Sequence, residues 1–213
     1  PPVEVDALAS ATKLEYGGSR CSRRCTVRAV EATSARDACA AYNGSSPGAD
    51  ALSAIMVTED GSCSLWSSVD SGRIDARVPE LPALRMGQDP IHRHKDVLSH
   101  TIAVVSKTPD DLIVRLAALF HDIAKPRTRS FEHGGVTFRH HEAVGARMTR
   151  KRMKALGYPE EEVEEVTELV RLSGRFKGYA DGWSDSAVRR YARDAGPLLG
   201  RLNALIRSDC TTR

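Results

Sequence analysis

Apolar residues recur at intervals of three or four from Asp96 to the end of the chain, in at least six segments separated by polar breaks. Residues at this spacing share one face of an α-helix, and such a face must be buried against neighbouring helices. An aromatic content of only 5% fits aliphatic helix packing better than a β-sandwich or a barrel. The pattern therefore predicts an all-α fold, a helical bundle to which each segment contributes one helix.

Local signals indicate where some of these helices begin. Pro159 followed by three glutamates suits the first turn of a helix, and Ser184 suits the N-cap of the next helix. In that next helix, Val188 and Tyr191 are predicted to face inward. A single strand-like fragment, residues 136–138, follows two glycines.

Composition divides the chain into three parts. Residues 1–50 are rich in Ala, Ser, Arg, Gly and Cys and show no sustained period, so we expect this N-terminal segment to be poorly ordered. Residues 51–90 are predicted to form a short helical connector that ends in a Pro-rich bend. Residues 91–213 are predicted to form the main helical domain.

The bulk properties exclude some classes of protein. A formal net charge of +3 and a pI near 8.7 give a mildly basic surface, which is compatible with a nucleic-acid or phosphate partner without requiring one. The five cysteines lack the repeated short spacing of a zinc module or a disulfide framework, which favours a reducing cytoplasm. No apolar run approaches the roughly 18 residues that span a bilayer, and the N-terminus lacks a signal-peptide pattern. We therefore expect a cytoplasmic protein with no membrane partner.

Three polar residues interrupt the apolar faces of three different predicted helices. His100 shares its face with two valines, and His121 and Asp209 each follow apolar residues three, four and seven positions earlier. A buried imidazole or carboxylate destabilises a protein unless it is paired or coordinated, and one divalent cation would satisfy all three. Asp122 is rotated by about 100° from His121, yet near a helix end both side chains can reach one ion. Pro126 disfavours helix continuation and so supports a helix end there.

Each of these residues also has an ordinary explanation. A lone buried histidine is more often a hydrogen-bonded core residue than a metal ligand, and Asp209 could equally pair with an arginine. The adjacent His121-Asp122 pair, with His100 before it and Asp209 after it, strengthens the joint case. We predict these four residues as ligands of a divalent metal ion, and the mixed N/O set does not distinguish Mn, Fe, Co, Ni, Zn or Mg.

The same residues resemble a known family. His100, residues 120–126 and Asp209 resemble the signature of the HD superfamily of metal-dependent phosphohydrolases. The chain is also similar, from about Leu65 to its end, to HD-domain-containing CCA-adding tRNA nucleotidyltransferases and poly(A)-polymerase-like proteins. That similarity rests on Val78 to Leu84, His92 to Val97, Gly135 to Phe138, His141-Glu142 with Gly145-Ala146, and Asp209 to Arg213.

The resemblance implies an HD-domain helical bundle in residues 91–213 and hydrolysis of 2′-phosphate, 3′-phosphate or 2′,3′-cyclic phosphate ends. It also implies a parent protein that adds or repairs the CCA end of tRNA, so the expected partners are tRNA or nucleotide phosphates. Lys125, on the same side of its helix as His121 and Asp122, could neutralise phosphate charge, and His141 could donate to the phosphate or act as a general acid. The alternatives are a solvated lysine and a histidine that only leads into its helix.

A cluster of basic residues follows His141 and a second one lies further along the chain. In a tRNA-handling family such residues contact phosphates, although a solvated helix face also explains them. The predicted RNA or phosphate-binding residues are Arg147, Arg150, Lys151, Arg152, Lys154, Arg189, Arg190 and Arg193.

The chain departs from the family pattern in several places. Ser173 stands where such domains often carry a histidine, so a site that needs this histidine for a second metal would be incomplete. Ala124 replaces a usual glycine, which is a milder change. No Asp-x-Asp follows the Gly-Gly-Ser at 17–19, as a nucleotidyltransferase head would require. Apolar residues are expected where the connector has Ser67, Ser68 and Arg73.

These departures suggest that residues 1–50 derive from a damaged or frame-shifted head, and that the chain is a fragment at both ends. Nucleotidyl transfer is not expected from this chain alone. Two other functions stay open: a catalytically impaired RNA-binding remnant without metal, and an HD nucleotide phosphohydrolase unrelated to tRNA. Metal content would separate the first from an enzyme, and a comparison of tRNA with free nucleotides as substrates would test the second.

Overall fold

The computed structural model describes residues 48–57, 61–87, 96–132, 135–176 and 182–212. The poorly ordered segment predicted for residues 1–50 therefore lies almost entirely outside the described residues. Within the described ranges the chain is a helical bundle with one two-stranded sheet, which confirms the predicted all-α class. None of the helices described is both long enough and apolar enough to cross a membrane.

The helices follow one another along the whole described chain. In chain order they are α1 Ala49–Met56, α2 Gly61–Asp70, α3 Val97–Lys107, α4 Leu112–Phe120, α5 Lys125–Thr128, α6 His141–Leu156, α7 Glu160–Leu172, α8 Asp185–Ala195 and α9 Leu199–Cys210. Short 3-10 helices lie at Pro82–Leu84, Ser173–Phe176 and Gly196–Leu198. The strands β1 Arg129–Glu132 and β2 Gly135–Phe138 form an antiparallel hairpin between α5 and α6.

Helix α4 lies at the centre of the apolar core. Every residue from Ile113 to Phe120 except Arg115 is buried, and a helix that is apolar on nearly all sides is stable only inside a protein. It packs against α1, α3, α7 and α9. Because α4 ends in the middle of the bundle, the residue that follows it, His121, is also buried.

Helices α6 and α7 pack along each other and flank the centre of the bundle. The turn between them contains Gly157 with φ of 85°, a left-handed conformation that glycine adopts without strain. Gly145 lies at their contact, where a Cβ atom would come 3.4 Å from a methyl group of Val170. The small residue therefore allows a close approach that fixes the start of α6 next to the end of α4.

The described part of the connector is joined to the helical domain by apolar and polar contacts. Leu52 and Met56 of α1 belong to the same buried core as Phe120. The Tyr158 hydroxyl lies 3.0 Å from the Ser53 hydroxyl of the connector and donates a hydrogen bond of 3.1 Å to the carbonyl of Ala49, just before it. A second contact joins Arg152 of α6 to Glu80, with hydrogen bonds of 2.6 and 3.1 Å to the two carboxylate oxygens.

Helix α8 confirms one local prediction and corrects another. Ser184 is its N-cap, because its Oγ accepts a hydrogen bond of 3.3 Å from the Ala187 amide. The prediction that Val188 faces inward is wrong, since this side chain is 45% exposed. The helix carries few apolar residues and only Ala195 among them is buried, so the core does not fix its rotation through Val188. Tyr191 is half-buried.

The strand predicted at residues 136–138 is present as β2, but its partner β1 was not predicted. The sequence of β1, Arg-Ser-Phe-Glu, has no apolar alternation, and its exposed positions are Arg129 and Phe131. Pairing with β2 therefore stabilises this strand more than burial does.

Candidate metal centre

His100 is carried on the buried face of α3. The helix begins at Asp96, whose carboxylate accepts a hydrogen bond of 2.7 Å from the Ser99 amide as an N-cap. One turn later His100 points into the bundle together with Val97 and Val104, as its spacing predicted. The side chain is only 7% exposed.

His121 and Asp122 lie in the turn that follows α4. The helix ends at Phe120, and a short turn leads to Pro126 near the start of α5. Nδ1 of His121 donates a hydrogen bond of 2.7 Å to the Ala118 carbonyl. This bond fixes the ring and leaves the lone pair on Nε2, the arrangement typical of a metal-ligating histidine.

Asp209 approaches the same point from the last turn of α9. Its Oδ1 lies 3.0 Å from Nε2 of His100. One ligand atom from each of His100, His121 and Asp209 lies within 4.8 Å of the other two. Three separate parts of the chain, brought together by α3, α4 and α9, therefore converge on one small volume.

Asp122 borders this three-residue cluster. Its Oδ2 lies 3.1 Å from His121 Nε2 and 3.9 Å from His100 Nε2. Lys125, one turn further on, places its Nζ 2.7 Å from the same oxygen. All four predicted ligands are thus brought together, with His100, His121 and Asp209 forming the tightest group and Asp122 at its edge.

The residues present fit a divalent metal ion. Among the described residues, the buried Nε2 of His121 makes no well-directed hydrogen bond, although Oδ2 of Asp122 lies 3.1 Å away, and that oxygen is itself held by Lys125 at 2.7 Å. Buried polar atoms without hydrogen bonds destabilise a fold by about 1–3 kcal/mol each, so such atoms need a partner. Imidazole nitrogen and carboxylate oxygen suit several divalent ions, and the cluster can hold one of them without selecting which.

Charge in the cluster shifts two pKa values. Burial alone would raise the pKa of the Asp122 carboxyl, but the His121 and Lys125 side chains outweigh burial and hold that pKa well below its usual value. Burial lowers the pKa of His121, whereas the carboxylates of Asp122 and Asp209 raise it, with a net rise. In the protein without metal, the carboxylates therefore favour the protonated form of His121. A bound cation would replace the proton on its Nε2.

The two predicted catalytic residues lie beside the cluster. Lys125 contacts Asp122 and is 13% exposed on its side chain. His141 is the first residue of α6, and its Nδ1 donates a hydrogen bond of 2.7 Å to the Phe138 carbonyl. Nε2 of His141 is left 3.5 Å from Oδ1 of Asp122. The residue before it, His140, has a positive φ of 59°, so a strained backbone turn sets the direction of His141.

Ser173, the predicted departure from the family pattern, follows α7. Its Oγ donates a hydrogen bond of 2.9 Å to the Val170 carbonyl and so behaves as a helix-end residue. The next residue, Gly174, lies against the side chain of Glu142, and a Cβ atom there would come 2.0 Å from Glu142 Oε1. Glu142 also lies 3.6 Å from Nδ1 of His141. Sequence reasoning gave Glu142 no role, although its position directly after His141 was a signal.

The predicted RNA-binding residues fall into groups with different surroundings. Arg152 is held by Glu80, while Arg150 and Lys154 lie 3.4 and 2.9 Å from Oε1 of Glu160. The exposed members of the set are Arg147, Lys151, Lys154, Arg189, Arg190 and Arg193. Arg193 lies 3.7 Å from a carboxylate oxygen of Asp194. The sequence pattern did not distinguish these groups, because acidic partners such as Glu80 are distant in the chain.

A buried cluster of histidine and aspartate inside a helical bundle defines an HD-type domain. Residues 94–201 match the HD domain family model, and the chain belongs to this family. The family resemblance of the sequence is thereby confirmed.

Two proteins of named function are similar in sequence to this chain. An A-adding tRNA nucleotidyltransferase of Deinococcus radiodurans is 30% identical over 168 residues, which are 75% of this chain and 38% of that protein. A CC-adding tRNA nucleotidyltransferase of Thermus thermophilus is 41% identical over 109 residues, which are 47% of this chain and 25% of that protein. The chain thus spans well under half the length of either relative.

Proposed function

We propose that this chain is the HD-domain portion of a tRNA nucleotidyltransferase-like protein and that it hydrolyses phosphate ends of tRNA or of nucleotides with a divalent metal ion. The single observation that carries the proposal is the convergence of His100, His121 and Asp209 within 4.8 Å, in the interior of the bundle. Buried imidazole and carboxylate groups need paired or coordinated partners, and one divalent cation would serve all three residues.

The chemistry of the surrounding residues suits phosphate esters. When bound, a divalent ion supplies Lewis acidity toward a phosphate oxygen and a nucleophile at neutral pH. Lys125 lies at the rim of the cluster, where its ammonium group would neutralise charge that develops on the phosphate. His141 directs Nε2 toward the same side, where it would donate a proton to the leaving oxygen.

The two relatives support tRNA as the source of the substrate. Both are named for adding nucleotides to tRNA, and a part of each aligns with a part of this chain. We propose by this similarity that the parent protein adds or repairs the CCA end. The proposed HD activity would then act on 2′-phosphate, 3′-phosphate or 2′,3′-cyclic phosphate at an RNA end. Exposed basic residues of α6 and α8 would contact the RNA phosphates.

Turnover of a 2′,3′-cyclic phosphate substrate across a panel of divalent ions tests the proposal. Hydrolysis should require one or more of the ions and be lost in Asp122→Ala, with Asp122→Asn as a variant of nearly unchanged shape. Elemental analysis of the purified chain should show metal in the wild type and reduced metal in both variants. A chain that binds no metal and hydrolyses no phosphate ester would contradict the proposal.

A second candidate function is RNA binding without catalysis. Ser173 favours it, because this position offers a hydroxyl bonded to Val170 where a histidine is often found. This alternative would be supported if the purified chain contains no metal and binds tRNA equally well with and without a chelator. A third candidate, hydrolysis of free nucleotides unrelated to tRNA, would be indicated by faster turnover of mononucleotides than of tRNA ends.

A further inference from the structure

The β-hairpin beside the metal centre presents an exposed aromatic side chain. Phe131 of β1 is 74% exposed, which makes it more exposed than Val57 or Val188, the other large apolar side chains found at the described surface. An exposed phenylalanine in a short strand buries little area and contributes little to stability. Single exposed apolar side chains are common at protein surfaces, so a role for Phe131 has to follow from the residues around it.

One face of the hairpin connects Phe131 to the candidate metal centre. Arg129 pairs with Phe138 and Phe131 pairs with Val136 across the two strands, so these four side chains share a face. The opposite face holds Ser130 and Thr137, whose hydroxyls lie 2.7 Å apart.

The end of this face nearest the bundle touches residues of the site. Nζ of Lys125 lies 5.6 Å from the centre of the Phe138 ring and 2.7 Å from Oδ2 of Asp122. The carbonyl of Phe138 accepts the hydrogen bond of His141. Phe131 lies opposite Val136, and Val136 is only two residues, about 7 Å, from Phe138 along β2. This distance is comparable to the spacing of successive nucleotides.

The charge on the hairpin favours a nucleic acid as the occupant of this face. The guanidinium carbon of Arg129 lies 4.9 Å from the centre of the Phe131 ring. Arg139 is paired with Glu132 at 2.7 Å, and Arg127 adds a further exposed cation at the base of the hairpin. An aromatic ring next to arginine is a combination on which nucleobases stack while the cation attracts the phosphate.

We propose that the Arg129–Phe131 face of the hairpin stacks a nucleobase of an RNA strand whose terminal phosphate lies at the metal centre. This inference rests on the proposed function and adds a residue that selects nucleic-acid ends over small phosphate esters. Phe131 would position the RNA and takes no part in the chemistry. The alternative occupant of the face is protein, including a second copy of this chain.

Equilibrium binding separates stacking from catalysis. The probe is a fluorescent cytidine-cytidine-adenosine trinucleotide with a 3′-phosphate, titrated with the full chain in the presence of a chelator. Phe131→Ala should weaken binding about tenfold, and Phe131→Leu should weaken it similarly because it keeps an apolar contact with Val136 but lacks the ring. Phe131→Tyr should bind like the wild type, and Val57→Ala is the matched control for loss of an exposed apolar side chain.

A base-free trinucleotide of the same charge is the second probe. Its affinity should be the same for the wild type and for Phe131→Ala. The proposal is overturned if Phe131→Ala leaves the first probe unaffected, or if it weakens both probes equally. It is also overturned if Phe131→Ala only converts a dimer to a monomer in sedimentation, with RNA affinity unchanged.

Hydrolysis of ribose 2,3-cyclic phosphate keeps the two proposals apart. This substrate has no base, so metal-loaded wild type and Phe131→Ala should hydrolyse it at equal rates. If neither protein hydrolyses this substrate, the proposed phosphohydrolase function is contradicted. The binding measurement in chelator would still decide the role of Phe131.

Discussion

Nε2 of His100 lies 3.0 Å from Oδ1 of Asp209, although His100 stands in α3 and Asp209 in α9, the last helix described. Together with His121 they form a closed group in which each side chain comes from a different part of the chain. The group can therefore exist only in the folded protein, and a cation bound there would join α3, the end of α4 and α9.

The histidines of the cluster should control metal content. His121→Ala removes a proposed nitrogen ligand, so metal affinity is expected to fall at least about a hundredfold. Elemental analysis after dialysis measures the loss. His140→Asn is the matched control, because His140 is an exposed histidine with positive φ, a conformation that asparagine tolerates. Equal metal content in wild type and His121→Ala would contradict the assignment.

Metal binding should stabilise the fold. An ion at a concentration of about 100 times its Kd adds about 2.7 kcal/mol to the free energy of unfolding. For a chain of this size, that corresponds to a rise in Tm of roughly 5–10 °C. Differential scanning fluorimetry with and without Mn²⁺ measures it. Asp209→Asn should abolish the rise, and an equal rise in this variant would place the ion elsewhere.

The basic residues of α6 should separate into structural and RNA-binding members. Arg152→Ala removes the contact with Glu80 and is expected to lower the free energy of unfolding by about 1–2 kcal/mol. Lys151→Ala, next to it and exposed, should leave stability unchanged but reduce the salt slope of tRNA binding by about one. Denaturant titration and binding at several salt concentrations test both. A salt slope that Lys151→Ala leaves unchanged would remove this residue from the RNA surface.

Tyr158 should join the connector to the bundle in a pH-dependent manner. Burial raises the pKa of Tyr158 to about 12, and its hydroxyl contacts Ala49 and Ser53. Because the folded pKa exceeds the unfolded value of 10.0, this contribution to stability is complete below pH 10 and is lost as pH rises toward 12. Tyr158→Phe is expected to lower the free energy of unfolding at pH 8 by about 1 kcal/mol.

Urea titrations of the wild type and Tyr158→Phe at pH 8 and pH 11 measure this effect. The difference in stability between the two proteins should shrink at the higher pH, since only the wild type carries the ionisable hydroxyl. A difference that grows with pH would show that the hydroxyl is favoured in its ionised form.

The helical periodicity predicted much of the site. The interval of three or four residues fixes the direction of a side chain around its own helix, so the inward positions of His100, His121 and Asp209 followed from their apolar neighbours. Where the core contributed little, the same reasoning was wrong. Val188 lies on a helix with one buried residue, and no apolar face held it inward.

Contacts between distant segments could not be predicted from the spacing of residues in the sequence. The pairing of Arg152 with Glu80 depends on where α6 lies relative to the connector. The face shared by Phe131 and Phe138 depends on the register of a hairpin whose first strand has no strand pattern. Neither relationship is encoded by local spacing.

The sequence by itself determined the all-α class, the order of the helices and the inward direction of the candidate ligands His100 and Asp209 about their helix axes. These properties depend on local backbone geometry, which each segment imposes alone. The tertiary structure decided which ligand atoms meet within 4.8 Å, which cations are already paired, and which aromatic ring is exposed beside the site. Those outcomes depend on the distances between elements, which are set by the packing of the whole core and not by any one segment.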